Sequence, residues 1–153
     1  MEKALIGAGC FWGVEESFAK LPGVIKTEVG YSGGKTINPT YEQVCVGDTN
    51  HAEVVLIDYD QSKLSFSNLL DHFWKCHDPT TLNRQGLDVG TQYRSVIFYF
   101  NESQKIMSIE SKIKHSTINK INIVTEVTKA KEYYKAEEYH QKYIQKTGYY
   151  CAN

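Results

Sequence analysis

Strand-like and helix-like segments alternate along this chain of 153 residues, and that alternation limits its fold more than any other feature. Period-two hydrophobicity predicts strands, and apolar residues at helical spacing predict helices. The strands are predicted at 4–8, 24–32, 51–59, 95–100 and 121–127, and the helices at 11–21, 65–77, 101–115 and 133–146. This order predicts a single α/β or α+β domain over residues 1–153, with a mixed, ferredoxin-like β-sheet covered by helices.

Length and charge narrow the classes of function. The chain is long enough for one domain to bury an ordinary core. Its formal net charge of -1 argues against partners such as nucleic acid or an anionic membrane surface. It has no apolar run of membrane-spanning length, and its first residues have no signal-peptide pattern. We therefore expect a cytoplasmic monomer whose cysteines are reduced unless its reaction oxidises them.

The four cysteines are Cys10, Cys45, Cys76 and Cys151, and no pair has the short spacing of a zinc or thioredoxin-type site. Cys45 and Cys76 lie in or beside apolar stretches, and we expect both to be packing residues. Cys151 lies in a C-terminal tail over 147–153 that we expect to be mobile, so its thiol could reach another thiol. The histidine spacings do not predict a metal site.

Cys10 lies in Gly-Cys-Phe-Trp-Gly, between a predicted strand and a predicted helix. Free N–H groups and the positive end of the helix dipole at that point favour a thiolate, the nucleophilic form of cysteine. Phe11 and Trp12 follow the sulfur directly and indicate an apolar pocket wall beside a nucleophile. A cysteine in an apolar run can also be a small buried hydrophobe, and the pattern around Cys10 alone leaves both interpretations open.

Glu53 is a carboxylate in an otherwise apolar strand, on the same predicted face as Val55. If that face is inward, burial would raise the pKa of the carboxyl and make it a candidate general acid; otherwise Glu53 faces solvent. Tyr41 and Tyr93 could hold an oxygen at the end of an apolar pocket, although most tyrosines pack in cores. Asp88, in a polar loop over 80–92, matches by pattern an ordinary solvated turn residue.

Six blocks of this sequence resemble the A-class peptide methionine sulfoxide reductases. They occur in the family's order and span nearly the whole chain: 9–13, 41–45, 48–53, 77–80, 88–95 and 136–141. The resemblance implies an oxidoreductase that reduces methionine-S-sulfoxide, free or within proteins, and so repairs proteins after oxidative stress.

The resemblance also implies roles for residues. Cys10 would attack the sulfoxide sulfur, and Glu53 would donate a proton to the sulfoxide oxygen, which is a poor leaving group until it is protonated. Phe11 and Trp12 would form the walls of the methyl pocket, and Tyr41 and Tyr93 would donate hydrogen bonds to the oxygen. Asp88 would support the substrate and its water.

Methionine would then leave, and Cys10 would become a sulfenic acid. Cys151 resembles the family's resolving cysteine, which forms a disulfide with the nucleophile. External thioredoxin would reduce that bond, and no other cofactor is implied. Some members carry a second C-terminal cysteine that relays the disulfide; here only two residues follow Cys151, so we expect thioredoxin to act on the Cys10–Cys151 bond itself.

A second departure is Asn50, which stands where the family usually has glycine. Asparagine tolerates positive φ, so we expect the turn before Glu53 to be retained.

Two other classes of function remain open from the residues alone. A binding module could hold methionine-rich or oxidised segments without turnover, and its effect would then survive Cys10→Ser. A different thiol enzyme, such as a peroxidase or an acyl-transfer hydrolase, could also use Cys10, although acyl transfer would require a histidine beside it.

Overall fold

The computed structural model describes residues 1–149. Its strands are β1 (Glu2–Ala8), β2 (Val24–Ser32), β3 (Ala52–Tyr59), β4 (Arg84–Gln85), β5 (Asp88–Val89), β6 (Ser95–Tyr99), β7 (Glu126–Lys129) and β8 (Tyr133–Lys135). Its helices are α1 (Phe11–Ala19), α2 (Tyr41–Val46), α3 (Phe66–Lys75), α4 (Glu102–Asn119) and α5 (Tyr143–Thr147), with short 3₁₀ helices at Thr91–Tyr93 and Glu138–His140. No helix within residues 1–149 is both long and apolar enough to cross a membrane.

The main sheet has six strands in the order β7-β6-β1-β3-β2-β8. The four inner strands pair antiparallel and, with α1 and α3, form the β-α-β-β-α-β arrangement of ferredoxin-like folds. β7 pairs parallel to β6 at one edge, and β8 pairs antiparallel to β2 at the other. The predicted mixed, ferredoxin-like sheet is therefore confirmed.

The core follows the alternation of side chains along β1 and β3. One face of the sheet, which includes Ile6 and Val55, packs against Phe18 of α1 and Phe73 of α3. The opposite face carries a smaller cluster that includes Val54. Because side chains in a strand alternate with period two, this register places Glu53 on the helix-covered face with Val55.

The segment 133–146 was predicted to be one helix, and that prediction is wrong. Tyr133–Lys135 instead extend the sheet by pairing with Gly30–Ser32 of β2. A 3₁₀ turn follows, and Lys142 has left-handed backbone with φ 55°, so α5 begins only at Tyr143. The free edge of β2 offers hydrogen-bonding groups that a local pattern cannot reveal, and pairing with them overrides the helical spacing.

The strand predicted at 121–127 begins later, at Glu126. β6 pairs with β7 only from Glu126 to Lys129. The preceding residues form a connection in which Ile123 is buried and the Val124 N–H donates to the Pro79 carbonyl. The apolar residues alternate here because one side of this connection is buried, although the connection is not a strand.

α4 presents three isoleucines to solvent. The spacing of Ile106, Ile109 and Ile113 predicts that they face inward, but they are 49%, 40% and 61% exposed. The buried face instead contains Gln104 and Ser108. Gln104 accepts a hydrogen bond from the Phe100 N–H and donates one to the Lys3 carbonyl. These bonds attach the first turn of α4 to the sheet and turn its isoleucines outward.

α2 lies in a segment for which no helix was predicted. A capping box starts it, with the Thr40 hydroxyl accepting from the Gln43 N–H and the Gln43 side chain accepting from the Thr40 N–H. Only Val44 of this short helix is buried, so Cys45 is exposed and its predicted packing role is wrong. Cys76 is half-buried against the core, as expected.

Candidate active site

Cys10 lies at the turn between β1 and α1, as the sequence predicts. It is the N-cap residue of α1 and is buried, with 8% exposure. Gly9 before it has φ 101°, a backbone conformation that L side chains rarely adopt. The turn therefore places Cys10 directly before the first residue of a nine-residue helix.

Glu53 faces the core, which settles the question that its pattern left open. Its side chain is 1% exposed, on the sheet face covered by α1. Its Oε1 atom accepts a hydrogen bond of 3.1 Å from the Phe11 N–H, the first N–H of α1. The carboxyl group is therefore joined to the residue that directly follows Cys10.

Tyr93 and Tyr41 lie around the same carboxyl. Burial raises the pKa of the Tyr93 phenol, and the charges of Glu53, Cys45, Asp88 and Cys10 raise it further. Burial also raises the pKa of Tyr41, with added contributions from a hydrogen bond to Cys45 and from the charge of Glu53. Both phenols therefore keep their protons, and remain hydrogen-bond donors, throughout the neutral range.

Asp88 begins β5 in the small β4–β5 hairpin of the predicted surface loop. It is half-buried, and that burial raises the pKa of its carboxyl. Its negative charge contributes to the raised pKa of the Tyr93 phenol. Asp88 is therefore not the solvated turn residue that its pattern indicated, and it lies on the Tyr93 side of the site.

Phe11 and Trp12 form an aromatic wall on α1. Phe11 is buried and its ring lies 5.7 Å from that of Tyr31. Trp12 is half-buried, and its indole stacks on Tyr143 with ring centres 3.9 Å apart and planes 10° apart. Its ring also lies 6.3 Å from that of Tyr41. The wall thus adjoins one of the two phenols.

Two site residues were missed because the sequence placed them in a helix. Glu137 accepts hydrogen bonds from the Tyr31 hydroxyl at 2.8 Å and from the Tyr41 N–H at 2.9 Å. Burial opposes its ionisation, but these bonds and one from its own N–H keep the pKa of the carboxyl below its ordinary value. His140 accepts a hydrogen bond from the Trp12 indole at 2.9 Å. In the sequence, the only indication of a role for Glu137 and His140 was their place in the family-like block over 136–141.

The segment that carries these residues is attached to α1 by Glu15. Glu15 is 2% exposed and accepts hydrogen bonds from the Lys142 N–H at 2.8 Å and the Lys142 Nζ at 3.0 Å. Thr27 of β2 donates to the same carboxylate at 2.8 Å. The left-handed backbone of Lys142 is therefore held by a buried acid on the helix that follows Cys10.

The turn before Glu53 has the conformation expected for it. Asn50 has φ 60°, a positive φ of the kind that asparagine tolerates. The Asn50 carbonyl accepts a hydrogen bond from Arg94, which also donates to the Thr91 carbonyl. The turn is thereby connected to the 3₁₀ helix that carries Tyr93.

Cys151 lies outside the described residues. Within residues 1–149, Cys10, Cys45 and Cys76 form no disulfide, and no group of three or more His, Cys, Asp or Glu side chains could hold a metal ion.

Comparison with known proteins gives one consistent family. Residues 2–153 match the sequence profile described as "Peptide methionine sulfoxide reductase". A curated relative, the "Peptide methionine sulfoxide reductase MsrA" of Methanosarcina acetivorans, is 56% identical over 151 residues, covering 97% of this chain and 80% of the relative. The crystal structure of Mxr1 from Saccharomyces cerevisiae in reduced form superposes with a TM-score of 0.93 and 35% identity, covering 99% of this chain and 89% of Mxr1.

A third comparison concerns a complex. The structure of Mxr1 with Trx2 superposes with a TM-score of 0.68 and 23% identity, covering 98% of this chain and 85% of that one. At this level of identity the likeness shows a shared fold.

Proposed function

This chain belongs to the peptide methionine sulfoxide reductase family and is an oxidoreductase that reduces methionine sulfoxide, and we propose that it acts on the S epimer at the site around Cys10. The observation that carries this proposal is the 3.1 Å hydrogen bond from the Phe11 N–H to Glu53, which ties a buried carboxyl to the Cys10 turn. Family membership decides against a binding module, a peroxidase or an acyl-transfer hydrolase.

In the first step the Cys10 sulfur attacks the sulfoxide sulfur. Glu53 donates a proton to the sulfoxide oxygen, because negative charge develops on that oxygen as the new bond forms. The oxygen ends on Cys10 as a sulfenic acid, and methionine leaves with its sulfur reduced by two electrons. The thiol and sulfoxide that enter the step contain the same atoms as the sulfenic acid and thioether that leave it.

Three sets of side chains would orient the substrate. Phe11 and Trp12 would enclose the apolar S-methyl group, while Tyr41 and Tyr93 would donate hydrogen bonds to the oxygen. Both phenols have raised pKa values, so they would stabilise the developing charge without losing their own protons. Asp88, on the Tyr93 side, would support the substrate and its water.

In the second step Cys151 would attack the sulfenic acid, releasing water and forming a Cys10–Cys151 disulfide. Thioredoxin would then reduce this bond by thiol–disulfide exchange, its own dithiol becoming a disulfide. Mxr1 has the same fold as this chain, and its structure in complex with Trx2 supports this choice of reductant. No other cofactor is proposed.

We further propose that residues 1–153 form one reductase domain that contains both Cys10 and Cys151. The enzyme would act as a monomer in the cytoplasm, because one chain contains every proposed residue and the cycle needs a reducing compartment. Its substrates would be free methionine sulfoxide and oxidised methionine residues in proteins.

To test this proposal, the reduced protein is mixed with methionine-S-sulfoxide in the absence of reductant. Its intact mass is then measured and its disulfides are mapped. A loss of two hydrogens with a Cys10–Cys151 crosslink is the expected result. A gain of one oxygen at Cys10 without a crosslink would keep the nucleophile and remove the role of Cys151. An unchanged mass would overturn the assignment of Cys10. The R epimer, run in parallel, should give no change.

A further inference from the structure

His140 lies at the centre of the aromatic wall rather than at its edge. The side chain is fully buried, at 0% exposure. Its ring centre lies 4.0 Å from that of Tyr139, 4.3 Å from Tyr41, 5.3 Å from Phe11 and 5.6 Å from Trp12. The imidazole therefore contacts three side chains of the proposed site without being assigned any step in its reaction.

The hydrogen bond to Trp12 defines which nitrogen of His140 carries a proton. The indole N–H can only donate, and it donates to His140 Nδ1 at 2.9 Å. Nδ1 must therefore be unprotonated, and the single proton of the neutral ring lies on Nε2. That N–H is buried and has no hydrogen-bond partner among the described residues. Burying an unsatisfied donor costs free energy, so another contact must favour this orientation of the ring. The hydrogen bond at Nδ1 is such a contact.

The Trp12 ring is held at two places. His140 holds its N–H edge, and Tyr143 covers one of its faces at 3.9 Å. A stack allows rotation in the plane of the rings, whereas a hydrogen bond fixes the direction of the edge. The bond to His140 is therefore the contact that sets the angle at which the indole faces the pocket.

We propose that His140 is a positioning residue of the reductase: its unprotonated Nδ1 fixes the Trp12 indole as a wall of the substrate pocket, and protonation of the ring releases that wall. This rests on the proposed function for the identity of the pocket. A protonated ring would place an Nδ1–H donor against the indole N–H donor, so the bond could not form. Substrate would still reach Cys10, but its S-methyl group would meet a wall without a fixed position.

The surroundings of His140 favour the neutral ring. Burial lowers the pKa of the imidazole, the carboxylate of Glu137 raises it in part, and the ammonium of Lys146 lowers it. Glu15 on α1 is paired with Lys142, which leaves its charge largely compensated. The titratable groups on the elements around the ring also include Cys10 at the N-cap of α1, Tyr31 on β2, Tyr41 on α2, Tyr139 on the same 3₁₀ turn and Tyr143 on α5.

The sign of the pH effect follows from that lowered pKa. His140 is neutral and bonded to Trp12 above about pH 6.5, the ordinary value for histidine. Protonation sets in only below that value, as the pH falls through the lowered pKa of the folded protein. The pocket should therefore be intact at neutral pH and loosen in acid.

Two substitutions separate positioning from simple packing. His140→Asn places an amide oxygen near Nδ1, so it keeps the acceptor and cannot be protonated in this range. His140→Leu keeps the bulk and removes the acceptor. We expect the Leu variant to raise KM for free methionine sulfoxide roughly three- to tenfold with kcat within about twofold, and the Asn variant to stay near wild type at pH 7. Equal losses in both variants would overturn the proposal.

A second measurement needs no substrate and so distinguishes failure of this inference from failure of the proposed function. The chain has two tryptophans, so Trp74→Phe leaves Trp12 as the single indole fluorophore. Its emission should change with a midpoint below pH 6.5 in that background, and should stay flat when His140→Asn is added. Far-UV circular dichroism at each pH would show that the fold persists. A flat profile with His140 present, or the same transition without it, would overturn the inference.

Discussion

The Phe11 N–H donates a hydrogen bond to Glu53 across 42 residues of sequence. This bond joins the first turn of α1 to the middle strand pair of the sheet, one residue after the proposed nucleophile. The same contact therefore stabilises the β1–α1 turn and holds the proposed proton donor in reach of the reacting sulfur.

Glu53→Gln should lose activity mainly at neutral and higher pH. Glutamine keeps the shape and can accept from the Phe11 N–H, but it has no proton of carboxylic-acid strength to give to the oxygen. General acids contribute roughly 100- to 10,000-fold, so we expect a loss of about 100-fold or more at pH 8 and a smaller loss near pH 5.5, where solvent supplies protons. The measurement is the pH–rate profile of kcat/KM.

Glu42→Gln, an exposed carboxylate on α2, is the matched control and should leave that profile unchanged. An unaltered profile in the Glu53 variant would remove its role as an acid.

Tyr93→Phe should lower kcat by about tenfold or more. The phenol is a proposed donor to the developing charge, and a donor made stronger by a buried site contributes mostly in the transition state. Tyr99→Phe, in the neighbouring strand, removes a hydroxyl away from the proposed site and serves as the control. Single-turnover formation of methionine is the measurement, since it reports the first step alone. If both variants react at the wild-type rate, Tyr93 does not assist that step.

Lys142→Met should destabilise the protein by about 1–3 kcal/mol. The substitution removes the cation from Glu15, a 2% exposed carboxylate 3.0 Å from the Lys142 Nζ, and leaves the acid with its other hydrogen bonds only. Urea unfolding at pH 7 would measure the loss. Lys146→Met breaks an exposed hydrogen bond to the Glu138 carbonyl and should change stability by less than about 0.5 kcal/mol. Equal effects of the two substitutions would show that Glu15 does not depend on its partner.

Stability should fall in mild acid because of His77. Burial lowers the pKa of this imidazole to about 4, while Nδ1 bonds the Phe73 carbonyl at 2.8 Å and Nε2 bonds the Ser95 hydroxyl at 2.7 Å. In the unfolded chain the ordinary value of about 6.5 applies, so the unfolded state binds the proton first. The stability contribution is complete above about pH 6.5 and is lost as the pH falls towards 4, by up to about 3 kcal/mol.

The measurement is urea unfolding at several values between pH 7 and pH 4. His77→Gln cannot be protonated in this range and should show a shallower decline. A decline of equal slope in both proteins would assign the acid sensitivity to other groups, such as the carboxylates.

Local patterns in the sequence determined the parts of the site that lie next to each other along the chain. The strand, turn and helix around Cys10 follow from hydrophobic spacing and from a glycine at positive φ. That Glu53 shares a face with Val55 follows from the alternation of side chains in a strand, but only the structure shows that this face is the inward one. For Tyr93 and Asp88 the local pattern left ordinary roles open, and only the family resemblance gave them roles at the site.

Tertiary structure decided what the C-terminal third does. The segment 133–146 has helical spacing, yet the open edge of β2 draws Tyr133–Lys135 into the sheet, and Glu15 holds Lys142 in a left-handed turn. That path brings His140 against Trp12, 128 residues away. The periodicity of the sequence predicts which side of a helix or strand is apolar. It does not predict which element that helix or strand pairs with, because the pairing depends on unpaired hydrogen-bonding groups of distant strands and helices, and these come together only in the folded chain.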